Sequence, residues 1–73
     1  MPSLQRKLGK VVQRLRKDQG FSQEGFADHV GVHRTYMGAV ERGEKNISLA
    51  SIERIADGLG LRPGALLTEA EKG

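Results

Sequence analysis

The sequence contains no cysteine, no tryptophan and no long apolar run, and these absences exclude several classes of protein. Without cysteine, neither a disulfide framework nor a thiolate zinc site can stabilise the domain. No apolar stretch approaches the ~20 residues of a membrane-spanning helix, and the charged N-terminus does not resemble a secretory signal. We therefore expect a cytoplasmic protein that does not enter a membrane.

The chain is short, and its hydrophobic residues are mostly aliphatic. Its 73 residues allow at most one domain, and we expect a single domain over residues 1–73. Hydrophobic residues make up 37% of the chain, with only one Tyr and two Phe. This content suits a helical bundle but leaves few residues to line a deep pocket. No cofactor and no small-molecule ligand are predicted.

Positive charge is concentrated at the N-terminal end of the chain. Residues 1–17 carry a net charge of +6 with no acidic residue, whereas residues 18–73 carry a net charge of −3. A basic segment on a near-neutral body suits a polyanionic partner such as nucleic acid. An ordinary solvated helix face would give the same pattern, so the charge alone leaves both interpretations open.

Apolar residues recur with a helical period along the chain, and no stretch has the pattern of a strand. The predicted helices cover about residues 4–18, the stretch between Ser22 and Gly31, about residues 34–42, the stretch between Ser48 and Gly60, and a short segment from near Pro63. The predicted fold class is therefore all-α, with five helices, a core of about residues 4–67 and a short frayed tail at residues 68–73. In the fourth helix we expect burial of Leu49, Ile52, Ile55, Ala56 and Leu59.

Residues 22–43 predict two short helices that meet across a tight turn. Ala27 is small enough for the second helix to cross the first closely, and Gly31 can adopt the left-handed conformation of the turn. Met37 and Val40 then fix the second helix to the core. This order of small, glycine and apolar residues is typical of a helix-turn-helix motif.

The same region resembles a known family. The residues that carry the resemblance are Ser22-Gln23-Glu24-Gly25-Phe26-Ala27, Val30-Gly31-Val32, Tyr36, Val40-Glu41-Arg42-Gly43-Glu44, Asn46 and Leu49. Over about residues 6–67 the chain resembles the Cro/C1-type (XRE) regulators of phages and bacteria. Its length and its Asn46-Ile47-Ser48-Leu49 loop also resemble restriction–modification controller proteins. The resemblance implies a lambda-repressor-like fold whose third helix enters the major groove of double-stranded DNA.

The predicted third helix has an inner and an outer side. At about 100° per residue, the outer side carries Arg34, Thr35, Gly38, Ala39 and Arg42. Arg34 can donate to guanine O6 and N7 together, Thr35 can give a hydroxyl bond or a methyl contact, and Ala39 can meet a thymine methyl group. We expect these three to contact bases, with an ordinary exposed arginine as the alternative for Arg34. If Gly38 and Ala39 contact nothing, DNA shape contributes more to recognition.

His33 stands where the family usually has a capping Ser or Thr. Because His is a poor cap, either the start of the helix is weakened or the imidazole contacts a base or a phosphate. We include His33 among the candidate base contacts. His29 and His33 have a metal-like spacing, but the turn at Gly31 separates them and no third ligand is near, so no metal site is predicted.

Phosphate contacts are expected from the ends of the second helix and from the loop after the third. Gln23 matches the family position that bonds a phosphate, and free backbone N–H groups at a helix start favour the same charge. The candidate phosphate-binding residues are Ser22, Gln23, Tyr36, Arg42, Lys45 and Asn46. For Lys45 a simple solvated charge is the alternative.

Arg16 and Glu41 match family positions that form a structural ion pair between the first and third helices. We therefore assign both residues to stability. The sequence has no Ser/His/Asp set, phosphate-binding loop or paired carboxylates, so no catalytic residue is predicted and the chain is not expected to be an enzyme.

The C-terminal half carries more apolar surface than one small core can cover. We expect Ile47, Leu61, Leu66 and Leu67 to form the interface of a two-fold homodimer. The sequence thus predicts a transcriptional regulator, a repressor or autoregulator, that binds a palindromic operator. A restriction–modification controller or an antitoxin-type regulator is the alternative within DNA binding. A protein-interaction adaptor with the same fold is the alternative outside it.

Overall fold

The structure is a computed structural model that describes residues 3–72. Over that range the chain forms α-helices and no strand. The helices are α1 (Leu4–Asp18), α2 (Gln23–Val30), α3 (Arg34–Glu41), α4 (Leu49–Gly58) and α5 (Pro63–Lys72). The predicted all-α class and the five predicted helices are confirmed. Within the described range, no helix is both long and apolar enough to cross a membrane.

Side-chain caps explain where α1, α2 and α4 begin. Ser3, Ser22 and Ser48 each precede a helix, and each hydroxyl accepts the backbone N–H of the residue three positions later. A cap of this kind satisfies an N–H group that has no partner within the helix and contributes about 1 kcal/mol. At the other end of α2, Gly31 has a φ of 78°, which a side chain would strain. The turn between α2 and α3 therefore depends on a glycine.

One aliphatic core joins the helices. The largest fully buried side chains are Val12, Phe26, Met37, Ile55 and Leu66, one from each helix in turn. Burying each of them contributes on the order of 1.5–3 kcal/mol. The core therefore requires all five helices, and it sits beneath the inner side of α3.

Helices α1 and α3 approach each other closely at Gly9. A Cβ atom at this position would lie 2.4 Å from the Val40 carbonyl oxygen and 2.6 Å from the Glu41 carbonyl oxygen. A glycine inside a helix costs about 1 kcal/mol relative to alanine. Here the absence of a side chain is necessary, because any side chain would push α3 away from α1.

Two expectations about the C-terminal end are wrong. Instead of a frayed tail at 68–73, α5 continues to Lys72 and Ala70 is fully buried; Gly73 lies outside the described residues. Leu66, expected at a dimer interface, is 1% exposed and belongs to the core of the single chain. Both differences have one cause. Helix α5 packs along α1, where Arg14 and Glu69 form an ion pair at 3.4 Å.

The expected burial of Leu49 is also wrong. Leu49 is 78% exposed, whereas Ile52, Ile55, Ala56 and Leu59 are buried as expected. Leu49 is the first residue of α4. Because side chains tilt towards the N-terminal end of a helix, the first one projects beyond the packed turns. A large apolar side chain is therefore left on the surface.

Candidate nucleic-acid interface

Arg16 of α1 and Glu41 of α3 form a buried ion pair with two hydrogen bonds. Arg16 Nε donates to Glu41 Oε2 at 2.6 Å, and Arg16 Nη2 donates to Glu41 Oε1 at 2.9 Å. A third bond runs from Arg16 Nη1 to the Phe21 carbonyl at 3.0 Å. Hydrogen bonding to Glu41 raises the pKa of Arg16 against the opposing effect of burial, and the charge of Glu41 raises it further. The predicted pair is present and fixes α3 to α1.

Gln23 connects this buried pair to the surface. Its Nε2 atom donates to Glu41 Oε1 at 3.2 Å. A side-chain amide carries two hydrogens, so the second can donate elsewhere. Gln23 is also the first residue of α2, where backbone N–H groups lack partners within the helix. The sequence did not predict the bond to Glu41, since nothing local relates positions 23 and 41.

His33 caps α3. Its Nδ1 atom accepts the backbone N–H of Thr35 at 3.1 Å, as a serine hydroxyl would. The expectation that histidine is a poor cap at this position is therefore wrong. His29, by contrast, stacks on Phe21 with ring centroids 4.8 Å apart. In the described part of the chain, no three potential ligands among His, Cys, Asp and Glu are grouped to hold a metal ion.

The start of α3 presents two exposed polar residues, Arg34 and Thr35. Arg34 Nη1 lies 3.7 Å from Glu24 Oε2 across the turn, and the two side chains are 65% and 70% exposed. An ion pair this exposed contributes little to stability, so the arginine can exchange its partner at low cost. The outer side of α3 is therefore accessible at the end nearest the turn.

Ala39 is not on the accessible side of α3. It is only 7% exposed, so the prediction that its methyl group contacts a base is wrong. Position 39 lies at the edge of the outer side, next to the half-buried Tyr36. Helix α3 ends just beyond it, where the Glu44 N–H donates to the Ala39 carbonyl at 2.9 Å. Helical periodicity alone could not show that position 39 is covered.

The candidate phosphate-binding residues lie around the outer side of α3. Gln23 and Tyr36 are partly buried. The exposed ones are Ser22, Arg42, Lys45 and Asn46. Arg42 Nε lies 3.1 Å from Glu44 Oε1. The Lys45 carbonyl accepts a hydrogen bond from the side chain of Gln5, which ties the loop after α3 to α1. The loop residues are thereby positioned beside the end of α3.

Two short helices joined at Gly31, with the second accessible at its start, form a helix-turn-helix motif. A family model described as a helix-turn-helix domain matches residues 7–70. The chain belongs to this family and is a helix-turn-helix transcriptional regulator.

Individual relatives show how far the similarity extends. The control protein C.MunI of Mycoplasma sp is 36% identical over 73 residues, and the match covers 99% of both chains. The restriction-modification controller protein C.AhdI from Aeromonas hydrophila has a similar structure, with a TM-score of 0.80, 41% identity and coverage of 84% of this chain and 92% of that one. The clp gene regulator ClgR from C. glutamicum has a TM-score of 0.90 at 28% identity and covers 97% of this chain and 91% of its own. The predicted resemblance to regulators and controller proteins is confirmed.

Proposed function

We propose that this chain binds double-stranded DNA sequence-specifically in the cytoplasm and regulates transcription as a repressor or autoregulator. The observation that carries the proposal is the outer side of α3, where Arg34 and Thr35 are exposed. The helix start is capped by His33, and the inner side is fixed by the Arg16–Glu41 pair. A helix that is fixed at its start and along its inner side can present side chains to the major groove at a defined angle.

In the proposed complex, base and phosphate contacts come from different parts of the motif. Arg34 and Thr35 contact base edges, and His33 contacts a base or a phosphate. The second amide hydrogen of Gln23 donates to a phosphate oxygen near the start of α2. Further phosphate contacts come from Ser22, Tyr36, Lys45 and Asn46.

The experiment that tests the proposal combines footprinting upstream of the chain's own gene with selection from a pool of random duplexes. We expect a protected, nearly palindromic site and an enriched motif. Binding should weaken steeply as the salt concentration rises, because phosphate contacts release counterions. Binding to a protein partner with no protected duplex would contradict the proposal and favour an adaptor.

We further propose that the protein acts as a two-fold homodimer through its α4–α5 side. Leu49 is 78% exposed there, and Ile47, Leu61 and Leu67 are partly buried against the core. A shallow groove begins beside Leu49 and is lined by Ala50, Glu53, Arg54, Asp57, Leu61, Arg62 and Pro63. The negative charges of its two carboxylates equal the positive charges of its two guanidinium groups. The groove therefore has no net charge that would repel a second copy of the same surface. Such a dimer would present two α3 helices about one DNA turn (~34 Å) apart.

A matched pair of variants tests the dimer. Among residues 3–72 the exposed large hydrophobic residues are Leu4 and Leu49, and each is the first residue of its helix. A carboxylate is favoured at a helix start, so Leu4→Glu and Leu49→Glu should both fold. Only Leu49→Glu should lower self-association in sedimentation velocity. Wild-type melting that does not depend on protein concentration would contradict the dimer.

A controller role in a restriction–modification system is the second candidate. The match to C.MunI over 99% of both chains favours it. An operator that also precedes a restriction endonuclease gene would support this role. An operator that precedes a toxin gene would instead support an antitoxin-type regulator.

A further inference from the structure

We infer that Arg42, the residue that caps the C-terminal end of α3, contacts a base across Gly38 and is a second specificity-determining arginine of the motif. The inference rests on the proposed DNA-binding function and replaces the expectation that Arg42 binds a phosphate. It depends on three observations: the space at Gly38, the side of α3 on which Arg42 lies, and the donors that its guanidinium keeps.

The guanidinium of Arg42 lies over Gly38. A Cβ atom at position 38 would be 3.1 Å from Arg42 Nη1 and 3.4 Å from Gln23 Oε1. Helical side chains tilt towards the N-terminal end, so Arg42 covers the turn that precedes its own Cα atom. Its charged group is therefore about one turn nearer to the start of α3, the part that enters the groove in motifs of this kind. A side chain at position 38 would occupy this space.

Arg42 also lies on the same side of α3 as Thr35. Seven residues at about 100° each bring the two positions to within about 20° of each other. The opposite side of the helix is taken up by buried Met37, Val40 and Glu41, and Gly38 is itself buried, with Arg42 lying over it. The Arg42 side chain is 59% exposed, so it is open to a partner on the outer side. A duplex that meets Thr35 in its major groove therefore faces the side of α3 from which Arg42 projects.

The remaining donors of Arg42 suit a guanine. Its Nε atom lies 3.1 Å from Glu44 Oε1, and because this pair is exposed the arginine can change partner at low cost. The two Nη groups keep their hydrogens for another partner. Two parallel donors match guanine O6 and N7. The Cα atoms of Arg34 and Arg42 are about 12 Å apart along the helix, so the two arginines should recognise different base pairs.

The test is selection of bound sequences from a random duplex pool, followed by sequencing. The proteins compared are the wild type, Arg42→Ala, Arg42→Lys, Gly38→Leu and, as a matched control at the other arginine, Arg34→Ala. Arg42→Ala should lose preference at one base pair of each half-site and bind the wild-type motif at least about tenfold more weakly. The lost position should differ from the one lost in Arg34→Ala.

Arg42→Lys and Gly38→Leu show whether the base preference depends on the position and shape of the guanidinium or only on its charge. Arg42→Lys keeps the charge but lacks the planar pair of donors, so the same preference should be lost while the salt dependence stays. Gly38→Leu keeps the arginine but fills its space, so it should lose the same preference. The readout is the base preference and not the affinity, because position 38 is buried beside Arg42 and Gln23 and a larger side chain there costs stability.

One outcome would contradict the base contact of Arg42, and another would contradict the proposed function itself. If Arg42→Ala weakens binding to all sequences alike and lowers the salt slope by about 1, Arg42 binds a phosphate and the inference is wrong, while the proposed function stands. If the wild-type protein enriches no motif, the proposed function is wrong and the inference falls with it.

Discussion

The inner and outer sides of α3 both carry an arginine–carboxylate pair, and the two pairs differ in burial. The side chains of Arg16 and Glu41 are 7% and 2% exposed, whereas those of Arg34 and Glu24 are 65% and 70% exposed. Breaking a buried pair leaves an uncompensated charge inside the protein, but an exposed charge returns to water at little cost. The Arg16–Glu41 pair therefore holds α3 in place, whereas Arg34 can leave Glu24 and bind DNA instead.

The largest effect is expected from breaking the inner pair. Glu41→Gln should lower the free energy of unfolding by about 3–5 kcal/mol, because the Arg16 charge stays buried without its counter-charge. Urea denaturation measures this change. The matched control is Glu24→Gln on the outer pair, which should alter stability by less than about 1 kcal/mol. Similar losses in the two variants would contradict the comparison.

Removing the outer arginine should affect DNA binding and leave folding almost unchanged. Arg34→Ala should cost about 1–3 kcal/mol on the wild-type motif and relax preference at one base position. Its stability should stay within about 0.5 kcal/mol of the wild type, as for other surface substitutions. Equal weakening on every sequence would show that Arg34 touches only phosphate.

Removing the cap at the start of α3 should lower stability less than breaking the buried Arg16–Glu41 pair does. His33→Ala removes the acceptor for the Thr35 N–H and should lower the free energy of unfolding by about 1 kcal/mol. His33→Ser restores an acceptor without an imidazole, so it should recover the stability but not any DNA contact of the ring. Thermal melting and duplex binding of both variants measure the two roles. A serine variant as unstable as the alanine one would argue against capping.

The smallest expected effect is at Lys45, in the loop after α3. Lys45→Ala should weaken binding to all duplexes alike and reduce the slope of log affinity against log salt by about 1. Titrations at several salt concentrations measure the slope. An unchanged slope would remove Lys45 from the proposed phosphate contacts.

The sequence predicted the elements that depend on local signals. Ser22 and Gly31 bound α2 as expected, because capping and a left-handed turn involve only neighbouring residues. The family resemblance supplied the Arg16–Glu41 pair, which joins residues 25 positions apart. Local structure and the inner side of α3 could therefore be predicted before the structure.

The errors arose where distant parts of the chain decide exposure. Periodicity indicates which residues share a side of a helix, but not what covers that side. Leu66 is buried because α5 packs along α1, and Ala39 is only 7% exposed although the helical period places it on the outer side. The position of Arg42 over Gly38 could not be predicted either, because it depends on how the Arg42 side chain lies across the preceding turn of the helix.

The cap at His33 has one more consequence, for hydrogen-bond chemistry at the edge of the DNA-binding surface. A ring nitrogen that accepts a hydrogen bond carries no hydrogen, so a ring that caps the helix has its hydrogen on Nε2. In that tautomer the outer edge of the ring can donate but cannot accept. It can pair with N7 of a purine, with O6 of guanine, with O4 of thymine or with a phosphate oxygen. The exocyclic amino groups of adenine and cytosine find no acceptor there.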